Sequence, residues 1–251
     1  VVFKAPNGGD THGTSNNTRT ELAQTKKWFP KTADDKLTAT LKVMNVSATG
    51  DARVAATHAV VVGQIHSADA FENEPLKIFY KKYPGQTKGS VFWHYEINTA
   101  GEDNAKRWDY SRAVWGNDFS VVGTGENTYP EEPEDGIALG EEFSYEVVVQ
   151  DGIMSLKFMS DGHETKTFTK NLLESEYATK ASIPEQTRKL FFPIGQDGIE
   201  RKEAYTGEGL FFKLGTYNQT NGKSPDVNMN WCSGAETHGG DIQKQYADGN
   251  Y

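Results

Sequence analysis

Three short segments bring together side chains able to bind anions and to move protons. In Gly209-Leu210-Phe211-Phe212-Lys213-Leu214-Gly215-Thr216-Tyr217-Asn218-Gln219, strand alternation sends Lys213, Tyr217 and Gln219 to one face and Phe212 and Leu214 to the other. Gly215 leaves open space between them, and a glycine inside a strand often marks close approach of a ligand or a second backbone. In Ala59-Val60-Val61-Val62-Gly63-Gln64-Ile65-His66, alternation puts Gln64 and His66 on one face, with Ile65 and Val61 on the opposite one. In Asn17-Thr18-Arg19-Thr20-Glu21-Leu22, Arg19 and Glu21 share a face. A guanidinium and an ammonium bind anions, an amide supplies neutral donors, and an imidazole and a phenol exchange protons. Taken singly, each pattern has an ordinary explanation. Gln64 and His66 read as a solvated strand front, Arg19 and Glu21 as a cross-strand ion pair, and Tyr217 as a ring that only stacks.

Strands are the elements that must hold these groups. Period-two patterns rich in β-branched and aromatic residues run over 36–46, 59–66, 77–82, 91–97, 143–150, 153–158, 209–220 and 226–232. Turn chemistry separates them, as in Thr49-Gly50-Asp51, Pro84-Gly85, Asp151-Gly152, Asp161-Gly162 and Asn221-Gly222. Residues 143–158 read as a hairpin around Asp151-Gly152, and helical signal is confined to a short stretch, Leu172 to Ala181. The pattern predicts an all-β fold, a two-sheet β-sandwich of the jelly-roll kind with a concave groove and long loops. Residues 99–139 show no periodicity and are expected to form a functional loop. No linker or repeat divides the chain, so residues 1–251 are expected to be one domain.

Composition narrows the function. The 251 residues carry 26 Lys and Arg against 35 Asp and Glu, a net charge of −9, which disfavours a general nucleic-acid binder. Five Trp, 11 Tyr and 13 Phe supply a sizeable core. The single cysteine, Cys232, excludes an intrachain disulfide and any Cys-cluster metal site. No window approaches the roughly 18–20 apolar residues of a membrane span.

Together the three segments resemble the alginate lyases of the jelly-roll clan, polysaccharide lyase families 7 and 18. The signature strands of those enzymes read approximately R-[ST]-E-L, Q-I-H and Y-F-K-x-G-x-Y-x-Q. Here they are Arg19-Thr20-Glu21-Leu22, Gln64-Ile65-His66 and Phe211-Phe212-Lys213-Leu214-Gly215-Thr216-Tyr217-Asn218-Gln219, in the same order and spread over most of the chain. Phe211 replaces the usual Tyr, and Ala23 stands where many family 7 members have Arg. The context around Arg19 leans towards family 18.

The resemblance implies an alginate lyase that cleaves by β-elimination and accepts both mannuronate and guluronate; a long open sheet face, with no obvious second domain to close one end, leads to the expectation of endolytic cutting. It assigns Arg19, Gln64 and His66 to the uronate carboxylate, where enolate-like charge develops, and Tyr217 to protonation of the leaving O4. For guluronate, His66 is the natural base; for mannuronate, Tyr217 can take the C5 proton as well. Glu21, Lys213 and Gln219 are expected to bind substrate, with Lys77, Lys81 and Arg107 as candidate outer cations. Trp108, Tyr110 and Trp115 are candidate sugar platforms, whereas Trp93 and Tyr95, alternating on a strand, are as readily core. No cofactor is required, and a structural Ca²⁺ has only the acidic loops to recommend it. The expected partner is an anionic polysaccharide, with no nucleic acid and no membrane, and the enzyme is expected to be a secreted bacterial monomer. The rival readings are a carbohydrate-binding sandwich, a lyase for another polyuronate such as glucuronan, and a glycoside hydrolase. The last lacks the strand motif of alternating carboxylates it would need.

Overall fold

The computed structural model describes residues 1–11, 15, 17–68, 74–97, 108–119, 121–173 and 209–220. They form two antiparallel sheets packed face to face, as the sequence predicts. The strands in chain order are β1 (Arg19–Ala23), β2 (Asp34–Lys42), β3 (Ala59–Ser67), β4 (Leu76–Lys81), β5 (Lys88–Ile97), β6 (Trp108–Trp115), β7 (Ile137–Ala138), β8 (Glu142–Gln150), β9 (Ile153–Met159), β10 (Lys166–Asn171) and β11 (Leu210–Asn218). One sheet runs β1-β11-β3-β4-β5-β6, with β7 paired to β5; the other runs β10-β9-β8-β2. Among the described residues no helix is long and apolar enough to cross a membrane.

The smaller sheet follows plain alternation. Phe143, Tyr145, Val147 and Val149 of β8 and Met154, Leu156 and Phe158 of β9 face inward, and the residues between them face out. The hairpin closes at Asp151 and Gly152, both at positive φ (49° and 81°), as a two-residue turn between right-twisted strands requires.

The larger sheet is buried on both sides at its centre. Val60, Val62, Ile65, Ile78, Tyr80, Val91, Trp93 and Tyr95 enter the core between the sheets. A second cluster of Val54, Ala56, Ala59, Val61, Phe79, Phe92 and Phe119 covers part of the other face, with Phe79 and Phe92 stacked at 5.0 Å. Two-sided burial explains why Ala59 to Val62 is an apolar run rather than an alternation.

Several expectations need correction. The stretch 99–139 is not all loop, because β6 and β7 lie within it. Trp115 is no sugar platform, being 1% exposed in the core with its indole N–H donated to the Glu164 carbonyl. Trp93 and Tyr95 are core as well. Val61 lies on the face of Gln64 and His66, not opposite them, because β3 carries a bulge. Val61 pairs with Phe79 and Gly63 with Ile78, so two steps on β3 answer one on β4 and alternation inverts there. The expected strand at 226–232, Arg107 and the part of the expected helix beyond Leu173 lie outside the described residues, as do the side chains of Trp108 and Tyr110.

Candidate active site

β11 is the hinge of the site, because it lies between β1 and β3 in the larger sheet. Register places Arg19 opposite Tyr217, Glu21 opposite Gly215, Lys213 opposite Gln64 and Phe211 opposite His66. On the next strand, Lys77 stands opposite Gln64. The three segments singled out from sequence therefore converge on one face of one sheet.

Gly215 permits that convergence. Its φ is +147°, and a Cβ there would collide with the Thr20 carbonyl oxygen and lie 2.8 Å from the Glu21 Cα. Only glycine lets β1 lie this close to β11 in this conformation. Gly63 is constrained from the other side of the sheet, where a Cβ would run into the hydroxyl of Tyr145, which donates to the Val62 carbonyl at 3.0 Å.

Arg19 is held at two points. Its Nη2 donates to Ser15 Oγ at 2.7 Å, and its guanidinium carbon lies 4.1 Å from the centroid of the Tyr217 ring. The expected ion pair with Glu21 does not form. Glu21 Oε1 instead accepts from Gln64 Nε2 at 2.5 Å. Glu21 Oε2 and Gln64 Oε1 are both buried with no hydrogen-bond partner among the described residues. Buried polar atoms without partners are costly in a finished fold and are common where a ligand is to be met.

His66 Nδ1 lies 2.6 Å from the Ser67 carbonyl oxygen, and since a carbonyl can only accept, this nitrogen carries the proton. Nε2 is the nitrogen left for chemistry. It lies 3.4 Å from Glu74 Oε1, and Glu74 Oε2 lies 3.1 Å from Lys77 Nζ. The imidazole leans on Phe211 at 5.5 Å between centroids, so the Phe in place of the motif's Tyr serves as a wall. Lys213 Nζ lies 5.5 Å over the same ring. Burial pushes the Lys213 ammonium below the usual lysine range; Glu21 pulls the other way, while Arg19 and Lys77 add to the effect of burial. Tyr217 packs against the second apolar cluster.

Arg19, Glu21, Gln64, His66, Lys77, Lys213 and Tyr217 are thus gathered on one face. Lys81 and Gln219 are committed to other partners, Lys81 at the far end of the same β4 face as Lys77 and Phe79. Lys81 is 4% exposed, with Nζ donating to the Ala55 carbonyl at 2.6 Å beneath the ring of Tyr83. Gln219 is 3% exposed and its amide donates to the Tyr217 carbonyl at 3.3 Å. Sequence reading missed Ser15 and Glu74, because both lie in connections where no strand period marks a face. A cavity of about 1170 Å³ lies away from these groups, at the open edge between the sheets. Leu41, Val43, Val60, Val62 and Phe3 line much of it, with Lys4, Lys42 and Glu142 also in its lining and none of the seven groups gathered on the sheet face.

Comparison with known proteins supplies the context for this geometry. A family model described as alginate lyase matches residues 1–244. A curated alginate lyase of Klebsiella pneumoniae is 27% identical over 259 residues, which is 90% of this chain and 70% of that protein. Among solved structures, the exolytic PL7 alginate lyase of Zobellia galactanivorans is 65% identical, covering 97% of this chain and 78% of its own, with a TM-score of 0.78. The crystal structure of the Klebsiella pneumoniae alginate lyase shares the fold at 24% identity and a TM-score of 0.58, covering 85% of this chain and 71% of its own. The relative at 65% identity is a family 7 enzyme, so family 7, rather than the family 18 towards which the Arg19 context leans, is supported.

Proposed function

The chain belongs to the alginate lyase family and is a polysaccharide lyase, and we propose that Arg19, Gln64, His66 and Tyr217 carry out its β-elimination. The observation behind this reading is the single sheet face on which β1, β11 and β3 set these four groups side by side. The C5 proton of a uronate is barely acidic while the adjacent carboxylate is anionic, so the carboxylate must be met first. Arg19 offers a planar fork of donors and Gln64 a neutral amide, one of whose N–H groups is already committed to Glu21. Glu21 is then the group that orients Gln64. His66 presents Nε2 as the base for guluronate, whose C5 proton lies on the face opposite the leaving group. Tyr217 protonates O4 and serves as base for mannuronate, where proton and leaving group share a face. Lys213 and Lys77 supply positive charge beside the carboxylate. The chemistry so assigned uses side chains alone.

For the mode of cleavage, the exolytic character of the Zobellia galactanivorans relative favours release from a chain end over the internal cutting expected from sequence. Action outside the cell, as a monomer, fits a polymeric substrate. The test is incubation with mannuronate-rich and guluronate-rich alginate, with glucuronan as control polymer. Ultraviolet absorbance from the new conjugated double bond should rise on alginate, small unsaturated products should dominate from the first minutes, and viscosity should fall slowly. An early collapse of viscosity with mixed oligomers would restore the endolytic reading. Absence of the chromophore on every alginate would remove the lyase assignment.

A further inference from the structure

We infer that Glu74 is a positioning residue for the base, its carboxylate set beside His66 Nε2 so that it stabilises the imidazolium formed when Nε2 takes the C5 proton. This rests on the reading of His66 given above. Three contacts carry it. His66 is fixed at Nδ1 by the Ser67 carbonyl, which leaves Nε2 as the nitrogen that takes the proton and becomes charged. Glu74 Oε1 faces it at 3.4 Å, an ion-pair distance rather than a tight hydrogen bond, so Nε2 is not sealed against a second group. Glu74 is itself anchored, its other oxygen 3.1 Å from the ammonium of Lys77, whose side chain is only 6% exposed.

The resulting row of imidazole, carboxylate and ammonium matches the charge that the step creates. As Nε2 takes the proton from C5, the C–H electron pair becomes the C4–C5 double bond, the C4–O4 bond breaks, and O4 takes the proton of Tyr217. Positive charge then appears on the imidazole, next to a carboxylate already in place, in surroundings that strengthen the attraction. His66 later gives its proton to solvent and the Tyr217 phenolate regains one, so the cycle closes. Among the described residues, Lys77 from β4 and Lys213 from β11 bring positive charge to this corner, with Arg19 and Glu21 of β1 also acting on Lys213, and Glu74 is the carboxylate at ion-pair distance from the ring. The competing role is purely structural, Glu74 serving only to neutralise a buried Lys77.

A double-mutant cycle separates the two. Glu74→Gln, Glu74→Asp, His66→Ala and the Glu74→Gln/His66→Ala double variant are assayed for kcat and KM on guluronate-rich oligomers, with thermal melting to confirm folding. Glu74→Gln should lower kcat about tenfold, equivalent to about 1.4 kcal/mol, with KM within about twofold. The double variant should be no slower than His66→Ala. Glu74→Asp, which keeps a counter-charge for Lys77, should fall between wild type and Glu74→Gln, and it decides the matter if Glu74→Gln does not fold. The inference is overturned by a Glu74→Gln loss that recurs in full in the His66→Ala background, by a loss confined to KM, or by wild-type turnover in both Glu74 variants. Wild-type turnover of His66→Ala is a distinct result, which removes the base assignment and Glu74's role with it.

Discussion

Tyr217 is the residue on which the chemistry turns, and its surroundings make a clean test possible. The ring is held by two things that do not involve its hydroxyl, the guanidinium of Arg19 on one face and the apolar cluster around Val61 and Phe79. A cation over an aromatic ring contributes about 0.5–2 kcal/mol, and phenylalanine keeps most of it. Tyr217→Phe should therefore leave Arg19 in place and the melting temperature nearly unchanged while removing the proton donor to O4. Turnover is expected to fall by roughly 10²–10⁴ on both mannuronate-rich and guluronate-rich substrates, since both leaving groups need a proton. A folded variant retaining more than about a tenth of wild-type turnover would reduce Tyr217 to a stacking surface.

At the scale of elements, the pairing of β1 with β11 decides whether Arg19 meets Tyr217 at all. Gly215 sits in the middle of that pairing at φ +147°, and the two nearest atoms a Cβ would meet, of Thr20 and Glu21, are backbone, which cannot move aside without shifting the strand. Gly215→Ala is expected to cost about 1–3 kcal/mol of stability. It should also lower turnover even at temperatures where the protein remains folded, because the Arg19–Tyr217 register is displaced. Gly162→Ala is the control: φ is again positive, at +80°, but nothing lies within 4 Å of the added Cβ. That variant should lose some stability and no turnover, as measured by urea denaturation beside a steady-state assay. Equal activity losses in the two would mean that the close approach of β1 is immaterial.

Over the whole molecule, charge works against the substrate and is reversed only locally. A protein of net charge −9 repels a polyuronate at long range, yet Arg19, Lys77 and Lys213 outnumber Glu21 and Glu74 where the sheet face is equipped. At about 0.1 M salt screening sets in near 10 Å, so the local excess governs binding. The other charge that shapes the molecule is Lys81, buried under Tyr83, where loss of solvation pushes its ammonium down to about 7 from 10.5. Between those values the unfolded chain holds a proton that the folded chain has shed. Stability should therefore rise as pH increases from 7 towards 10.5, and the contribution is lost in full below about 7. Tyr80, Tyr83 and Tyr145 are shifted upward by burial and oppose this above pH 10, which makes pH 7 to 9 the window to measure. The unfolding free energy of wild type is expected to gain about 2 kcal/mol across it, and Lys81→Met should flatten the rise. A wild-type profile already flat would show that Lys81 keeps its proton in the folded state.

Period-two patterning was enough to read most strands, the hairpin at Asp151-Gly152 and the two-sheet class, because side-chain alternation and turn residues are local properties. The short motifs around Arg19, Gln64 and Tyr217 were legible for the same reason, each being a run of neighbours on one strand. What lay beyond the sequence depended on pairing between distant segments. β6 was hidden because it sits within a stretch of sequence rich in Gly, Asn, Asp, Glu and Pro that masks its short pattern, and the bulge at Val61 to Gly63 because an inserted residue is visible only against a partner strand. The same holds for the chemistry. Arg19 reads as the partner of Glu21 when only its own strand is considered, yet the fold gives Glu21 to Gln64 and Arg19 to Tyr217 and Ser15. Lys81 and Lys77 have equal standing on β4, four residues apart, and packing buries both, one beneath Tyr83 and the other against Glu74. Residue types and their spacing carry the repertoire of a site, but distances between segments far apart in the chain exist only after the sheets have closed.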